Sequence, residues 1–192
     1  MAVAKWLNYL NYLILNNYMH YLYFVLIKKE ECSTSNNAQE HANNLLENEG
    51  FTAQGFFGSG KADWYEIGGR WSGCLTECLM PLEYREELKK LYENSRTTNE
   101  EYEALWKKYK GDGKCPQTRE HNWHRGQSDD NARILTKKLY EGLKQTYPET
   151  EIYCEEDCIE TTIEQLQHDL YNLDNAEELF NNYWIVTVDY HN

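Results

Sequence analysis

The stretch that decides the fold is Tyr21-Leu22-Tyr23-Phe24-Val25-Leu26-Ile27, a continuous apolar run that ends at Lys28-Lys29. Aromatic and β-branched residues without polar interruption are typical of a strand buried on both faces at the centre of a sheet. A second run of this kind is Trp184-Ile185-Val186-Thr187-Val188. Because these two strands are the most apolar of the chain, we predict that they are neighbours in one sheet.

Between the two strands the sequence is mostly helical in pattern. Cap residues, a Pro at a first turn and apolar residues at helical spacing mark the helix starts. The predicted helices cover about 37–48, 81–94, 99–109, 130–146, 162–172 and 174–181, and a short strand is predicted at 152–154. This order predicts an α+β fold with a small mixed or antiparallel sheet and a helical insert over 81–128. A ferredoxin-like arrangement is a candidate for that sheet.

The sequence predicts one main domain and one extension. Residues 19–192 are expected to form a single α+β domain, whose C-terminal part, 149–192, is acidic. Residues 1–18 repeat apolar side chains at helical spacing and are expected to form an amphipathic extension. Four Asn interrupt the apolar stretch 6–27, so we expect no membrane span.

Charge is distributed unevenly along the chain. The net charge is −13, and residues 149–192 alone hold twelve Asp or Glu and no Lys or Arg. An acidic segment repels nucleic acid and attracts basic protein surfaces, so Glu155, Glu156 and Asp157 are candidate partner contacts. The simpler alternative is an acidic surface that serves solubility. Residues 107–138 are basic, but direct nucleic-acid binding through them is not the favoured interpretation.

The most unusual composition is that of Asp63-Trp64-Tyr65-Glu66-Ile67-Gly68-Gly69-Arg70-Trp71-Ser72-Gly73-Cys74-Leu75. Its Gly-Gly pair predicts a turn between two short strands. A guanidinium stacked on indole is a good receptor for phosphate or carboxylate. The candidate ligand or partner contacts are therefore Asp63, Trp64, Tyr65, Arg70 and Trp71. The alternative is a Trp-anchored hairpin in which Asp63 or Asp189 holds Arg70 in a buried ion pair.

This run resembles the signature D-W-Y-x-I-G-G-R-W-x-G of a family of small, mostly phage-encoded proteins of unknown function. Residues 63–73 fit it at every position. Residues 130–133 are similar to a further family pattern, D-x-A-R. Residues 187–191 are similar to a closing strand T-V-V-D-C-H, with one residue fewer and Tyr in place of Cys. The resemblance implies a phage or prophage origin and the cytoplasm of the bacterial host as the location.

Two further groups of residues are chemically suggestive. Asp189 and His191 fall on one face of the last strand, because side chains alternate along a strand. Asp beside His suits general-base catalysis or half of a metal site, and structural hydrogen bonding is the alternative. In the loop 121–126, Trp123 could stack on a base while Arg125 contacts a phosphate. A plain exposed loop and a metal site on the two His of that loop are the alternatives.

The six cysteines are expected to be free thiols, because no clear signal peptide precedes them and the default compartment is reducing. Cys74-x3-Cys78 and Cys154-x3-Cys158 could together form a four-thiolate zinc site. Zinc sites usually have tighter spacing, however, and the present spacing suits one face of a helix. We therefore expect no metal and no other cofactor.

Three functions fit these patterns. The first, which the sequence favours, is non-enzymatic inhibition of a host defence nuclease, of anti-CRISPR type. The acidic segment would mimic nucleic acid and occupy a basic surface of that host protein. The second is a sponge or hydrolase for a signalling nucleotide, clamped by Trp64, Arg70 and Trp71. The third is a structural phage module. No P-loop, G-x-S-x-G or H-E-x-x-H motif is present, so a nucleotide triphosphatase is not expected and a non-enzymatic role is favoured over catalysis.

Overall fold

The computed structural model describes residues 20–52, 61–94, 96–109, 131–156, 158–170 and 176–191. The predicted extension 1–18 lies outside these ranges. The strands are β1 (His20–Lys28), β2 (Trp64–Ile67), β3 (Ala132–Ile134), β4 (Glu151–Cys154), β5 (Ile159–Thr162) and β6 (Tyr183–His191). The helices are α1 (Ser35–Asn48), α2 (Cys74–Leu79), α3 (Leu82–Glu93), α4 (Asn99–Lys108), α5 (Lys137–Thr146), α6 (Leu166–Leu170) and α7 (Ala176–Asn182). The predicted α+β class is confirmed.

The sheet is mixed, with β1 and β6 in its interior. Its strand order is β2-β6-β1-β4-β5, and β3 also pairs with β6. β1 and β6 are antiparallel from His20 opposite His191 to Lys28 opposite Tyr183, which confirms that the two apolar runs are neighbours. β4 is parallel to β1 and lies directly beside it. In a ferredoxin-like sheet a further strand separates two such parallel strands, so the strand order differs from the ferredoxin-like one.

Both faces of the sheet are covered, which explains the continuous apolar run of β1. Phe24 and Leu26 face a core shared with α2, α5, α6 and α7. Val25 and Ile27 face a second core on the opposite side of the sheet, under α1. All four side chains are fully buried. This arrangement follows from the alternation of side chains along a strand.

Several helix boundaries were predicted correctly, and two were not. α4 begins at Thr98, where a capping box with Glu101 closes its first turn. α5 is capped by Thr136 instead of Asp129 or Asp130, because residues 132–134 pair with β6 as a strand. The helix predicted over 162–172 begins later, at Leu166 of α6, because Thr162 still pairs with β4 as the end of β5 and residues 163–165 form a turn; residues 171 and 172 lie outside the described ones.

α3 and α4 pack against each other around a small core of their own. Its buried members are Tyr84, Leu88, Leu105 and Trp106. Arg85 connects this pair to α5, since its guanidinium donates to the Oε1 atom of Gln145 and to the carbonyl oxygen of Gly142. Within the described part of the chain, no helix combines the length and the apolar character that a membrane span needs.

Candidate active site at one end of the central strands

The signature run forms a strand, a turn of 3-10 helix and the start of α2. β2 pairs with the end of β6, with Trp64 opposite His191. At Gly68 (φ 79°, ψ −69°) the chain leaves the sheet. The amide of Trp71 donates to the carbonyl of Gly68 at 2.9 Å and closes the 3-10 turn. The predicted hairpin is therefore wrong, because this ψ value turns the chain onto the face of the sheet instead of back along β2.

The two central glycines allow this turn to lie directly on neighbouring side chains. A Cβ atom at Gly68 would overlap the side-chain amide of Asn131, and one at Gly69 would overlap the side chain of Asp189. Both glycines also have positive φ. Because the backbone approaches so closely, the amide of Arg70 donates to Oδ2 of Asp189 at 2.8 Å.

Residues 64–72, 131–134 and 187–191, which are far apart in the sequence, meet at this point. β2 and β3 both pair with β6. The hydroxyl of Ser72 donates to Oδ1 of Asn131 at 2.7 Å, and the amide of Gly68 donates to the carbonyl of Thr187 at 2.8 Å. Residues far apart in the sequence thus form one local unit.

Asp189 is the buried polar centre of this unit. Its side chain is 1% exposed. Oδ2 accepts the Arg70 amide, and Oδ1 lies 2.9 Å from Nδ1 of His20. With the ring neutral, the form that makes this hydrogen bond has its proton on Nδ1 and leaves Nε2 as an acceptor. Asp189 therefore orients the His20 ring.

Two aromatic rings complete the surroundings of His20. Trp64 stacks on His191, with ring centroids 6.1 Å apart and an interplanar angle of 12°. Both rings meet His20 edge to face, at centroid distances of 5.7 and 5.6 Å. Asp63, which precedes Trp64, has an exposed side chain, and its Oδ2 lies 3.8 Å from Nδ1 of His191. The His20 ring is thus held by a carboxylate and by two neighbouring rings.

A cavity of about 610 Å³ opens beside His20. Leu22, Trp71 and Tyr147 contribute apolar and aromatic wall, and Glu149 and Glu151 contribute carboxylates. Trp71 meets Tyr147 edge to face at 6.3 Å between ring centroids. The indole N–H of Trp71 is buried and finds no acceptor among the described residues.

The other predicted contact residues of the signature are divided between the surface and the core. The Arg70 side chain is exposed, so the alternative of a buried ion pair is wrong. Tyr65 lies on the opposite face of the sheet, where its hydroxyl donates to the carbonyl of Asn43 at 3.2 Å, and it belongs to the core under α1. Trp123 and Arg125 lie outside the described residues.

The predicted acidic contacts are engaged within the molecule. Glu155 pairs with His41 at 2.7 Å. Glu156 pairs with Lys28, and the hydrogen bond from this lysine lowers the pKa of Glu156 below its usual value. Asp157 lies outside the described residues. These two glutamates therefore have structural partners before any partner protein binds.

The four cysteines do not come together as a metal site. Cys74, Cys78 and Cys154 are buried, whereas Cys158 is exposed. Burial raises the pKa of Cys78 to about 12, so this thiol is not a reactive thiolate. Among the residues that the structure describes, no group of three or more His, Cys, Asp or Glu is arranged to hold a metal ion.

Sequence reasoning placed Asp189 and His191 on one face and missed their third companion. His20 directly precedes the apolar run of β1 and lies opposite His191 in the β1–β6 ladder. Pairing the two apolar runs in register, in addition to predicting that they are neighbours, would have brought His20 to Asp189. The sequence therefore contains enough information to place His20 beside Asp189, but only when the register between β1 and β6 is also predicted.

Searches with protein-family models, among curated proteins and among solved structures find no match for this chain. What the fold and the site define is a class: an α+β protein with an Asp-oriented His beside a cavity at one end of a mixed sheet.

Proposed function

We propose that the protein binds a nucleotide at the cavity beside His20, which is the second of the three functions that the sequence suggested. The observation that carries the proposal is the position of His20. This side chain, oriented by the buried Asp189, stands between a 610 Å³ cavity and the Trp64 ring, which is 42% exposed. Small-molecule sites have cavities of this size with mostly aromatic or apolar walls and a few oriented polar groups.

The chemistry around the cavity suits the parts of a nucleotide. Trp71 and Tyr147 offer aromatic surface for a base inside the cavity. Arg70 is exposed and directly precedes Trp71, and its planar fork suits a phosphate. The buried indole N–H of Trp71 supports the same interpretation, because an oxygen of the ligand would satisfy it.

The phage resemblance gives this binding a biological setting. We propose that the protein acts in the cytoplasm of a bacterial host and removes a signalling nucleotide from solution. A protein of this kind needs no partner chain for its effect, because the bound ligand is withheld from its receptor by mass action.

Calorimetry and thermal unfolding with a panel of linear and cyclic mono- and dinucleotides test the proposal. We expect at least one nucleotide to bind and to raise the Tm of the full chain. Arg70→Ala should weaken its binding about tenfold or more, since a charge-assisted hydrogen bond contributes roughly 1.5–3 kcal/mol. The matched control is Arg96→Ala, which removes an exposed arginine between α3 and α4. If no nucleotide in the panel binds, the proposal is wrong.

Inhibition of a host defence nuclease is the second candidate. It is favoured by the twelve acids and the absence of Lys and Arg in 149–192. It ranks second because acids of this segment are used internally: Glu151 and Glu160 both contact Lys61, as Glu156 contacts Lys28. It requires a complex with a nuclease whose affinity falls with added salt. Absence of a complex, or binding insensitive to salt, counts against it.

A further inference from the structure

We infer that the site also hydrolyses a phosphodiester bond of the nucleotide that it binds, with His20 as the general base. This inference rests on the proposed binding function, and it adds a reaction and a substrate class to it. Its starting point is a contrast between Asp189 and His20. The carboxylate is 1% exposed, whereas the imidazole beside it is 15% exposed and forms part of the cavity wall.

The first step of the argument is the hydrogen-bonding state of His20. In the neutral tautomer whose Nδ1 donates to Asp189, Nε2 is the nitrogen that can accept a proton. A carboxylate behind an imidazole also stabilises the imidazolium that forms when the ring takes a proton. His is the side chain most often used in this role, and an oriented ring beside a ligand cavity meets its geometric requirement.

The second step is the degree to which the ring is held in place. Asp189 is itself fixed by the Arg70 amide at 2.8 Å, and the rings of Trp64 and His191 contact His20 edge to face. These are positioning residues, since they act on the substrate through His20. A purely structural His–Asp pair would tie β1 to β6 equally well in a closed core, but here the pair borders a cavity.

The third step is the reaction itself. Nε2 of His20 takes a proton from a water molecule while the oxygen of that water forms a bond to phosphorus. The bond from phosphorus to one ester oxygen breaks, and this oxygen leaves with the electron pair and takes a proton from solvent water. The imidazolium then returns its proton to the hydroxide formed in the solvent. One water is consumed, and a phosphomonoester and an alcohol are produced.

The size of the cavity limits the substrate. A volume of about 610 Å³ accommodates a mono- or dinucleotide. The substrate class is therefore a small phosphodiester, such as a cyclic mononucleotide or a linear or cyclic dinucleotide. Arg70 is exposed and directly precedes Trp71 of the cavity wall, and we propose that it offsets the charge that develops on the phosphoryl oxygens.

The test is incubation of the full chain with cyclic mononucleotides and with linear and cyclic dinucleotides, analysed by chromatography and mass spectrometry. In ¹⁸O-labelled water we expect one labelled oxygen in each phosphomonoester formed. His20→Gln should lower kcat about a hundredfold or more, with less than about a threefold change in the Kd of the substrate. His168→Gln, a side chain 91% exposed on α6, is the matched control and should leave kcat unchanged.

Positioning by Asp189 has a separate readout. Asp189→Asn should lower kcat and also change the pH dependence of kcat, because the amide no longer stabilises the imidazolium. The labelling experiment needs no variant, so it decides the question of hydrolysis even if a variant fails to fold. Nucleotide binding without product would overturn the inference and leave the proposed function standing. Unchanged turnover in His20→Gln would overturn the role of His20.

Discussion

Gly69 shows how a single residue determines the geometry of the site. Its φ of 49° is the left-handed conformation that glycine adopts most readily. The absence of a Cβ atom lets the backbone lie against Asp189, and the next amide, that of Arg70, donates to this carboxylate. The orientation of His20 therefore depends on a residue that does not contact it directly.

We predict that Gly69→Ala destabilises the protein by about 2–4 kcal/mol, because a strained φ and an overlap with Asp189 are combined. The matched control is Gly50→Ala, at the end of α1, where φ is 68°. That variant should lose only about 1 kcal/mol, the cost of the backbone conformation alone. Urea unfolding measures both. Equal losses in the two variants would contradict the proposed overlap.

Among the individual residues of the site, some could be predicted from the sequence and others could not. Asp189 and His191 followed from alternation along one strand, a local rule. His20 required the register between two strands, and the exposure of Arg70 required the direction of the turn. That direction depends on Asp189, which lies 119 positions from Arg70 in the chain. A local sequence pattern carries no information about a contact between residues so far apart in the chain.

At the level of secondary structure, the elements that could be predicted were those whose own residues carry the signal for a strand or a helix. β1 and β6 each contain a long apolar run and were predicted as strands, and α4 has its capping box. β3 has three residues and β5 has four, and both include polar side chains. They are strands because a neighbouring strand supplies their hydrogen bonds. The sequence of the Gly-Gly turn alone is equally compatible with a hairpin and with a 3-10 turn.

The contact between α2 and α5 gives a prediction at the level of elements. Gly142 lies in α5 against the backbone of Cys78 in α2, and a Cβ atom there would overlap the carbonyl group of Cys78. Alanine normally stabilises a helix by about 1 kcal/mol relative to glycine. Gly142→Ala should instead lower the free energy of unfolding by at least about 2 kcal/mol, because the two helices must move apart.

The neighbouring exposed position provides the control for this prediction. Glu141→Ala changes α5 on its solvent side and should alter stability by less than about 0.5 kcal/mol. Thermal unfolding followed by circular dichroism compares the two variants. A more stable Gly142→Ala variant would show that helix propensity outweighs the close packing of α2 on α5.

At the scale of the whole molecule, the two ends of the central strand pair have different chemistry. The end with His20 and His191 borders the cavity. At the other end, Glu156 accepts hydrogen bonds from Lys28 and Tyr183, and so joins the end of β1 to the start of β6. Ionic contacts of the acidic segment therefore stabilise the sheet at a distance from the candidate site.

The contribution of Glu156 depends on pH in a defined direction. The hydrogen bonds from Lys28 and then Tyr183 lower its pKa below the ordinary 4.5, so its stabilisation is complete above that value and is lost as pH falls through the lower folded-state pKa. Glu156→Gln should cost up to about 1 kcal/mol near neutral pH, and this cost should disappear as the pH falls through the folded-state pKa. Glu164→Gln, in an exposed turn, is the control. Urea unfolding across this range measures both; a Glu156→Gln deficit that persists at low pH would mean that the carboxylate charge is not its source.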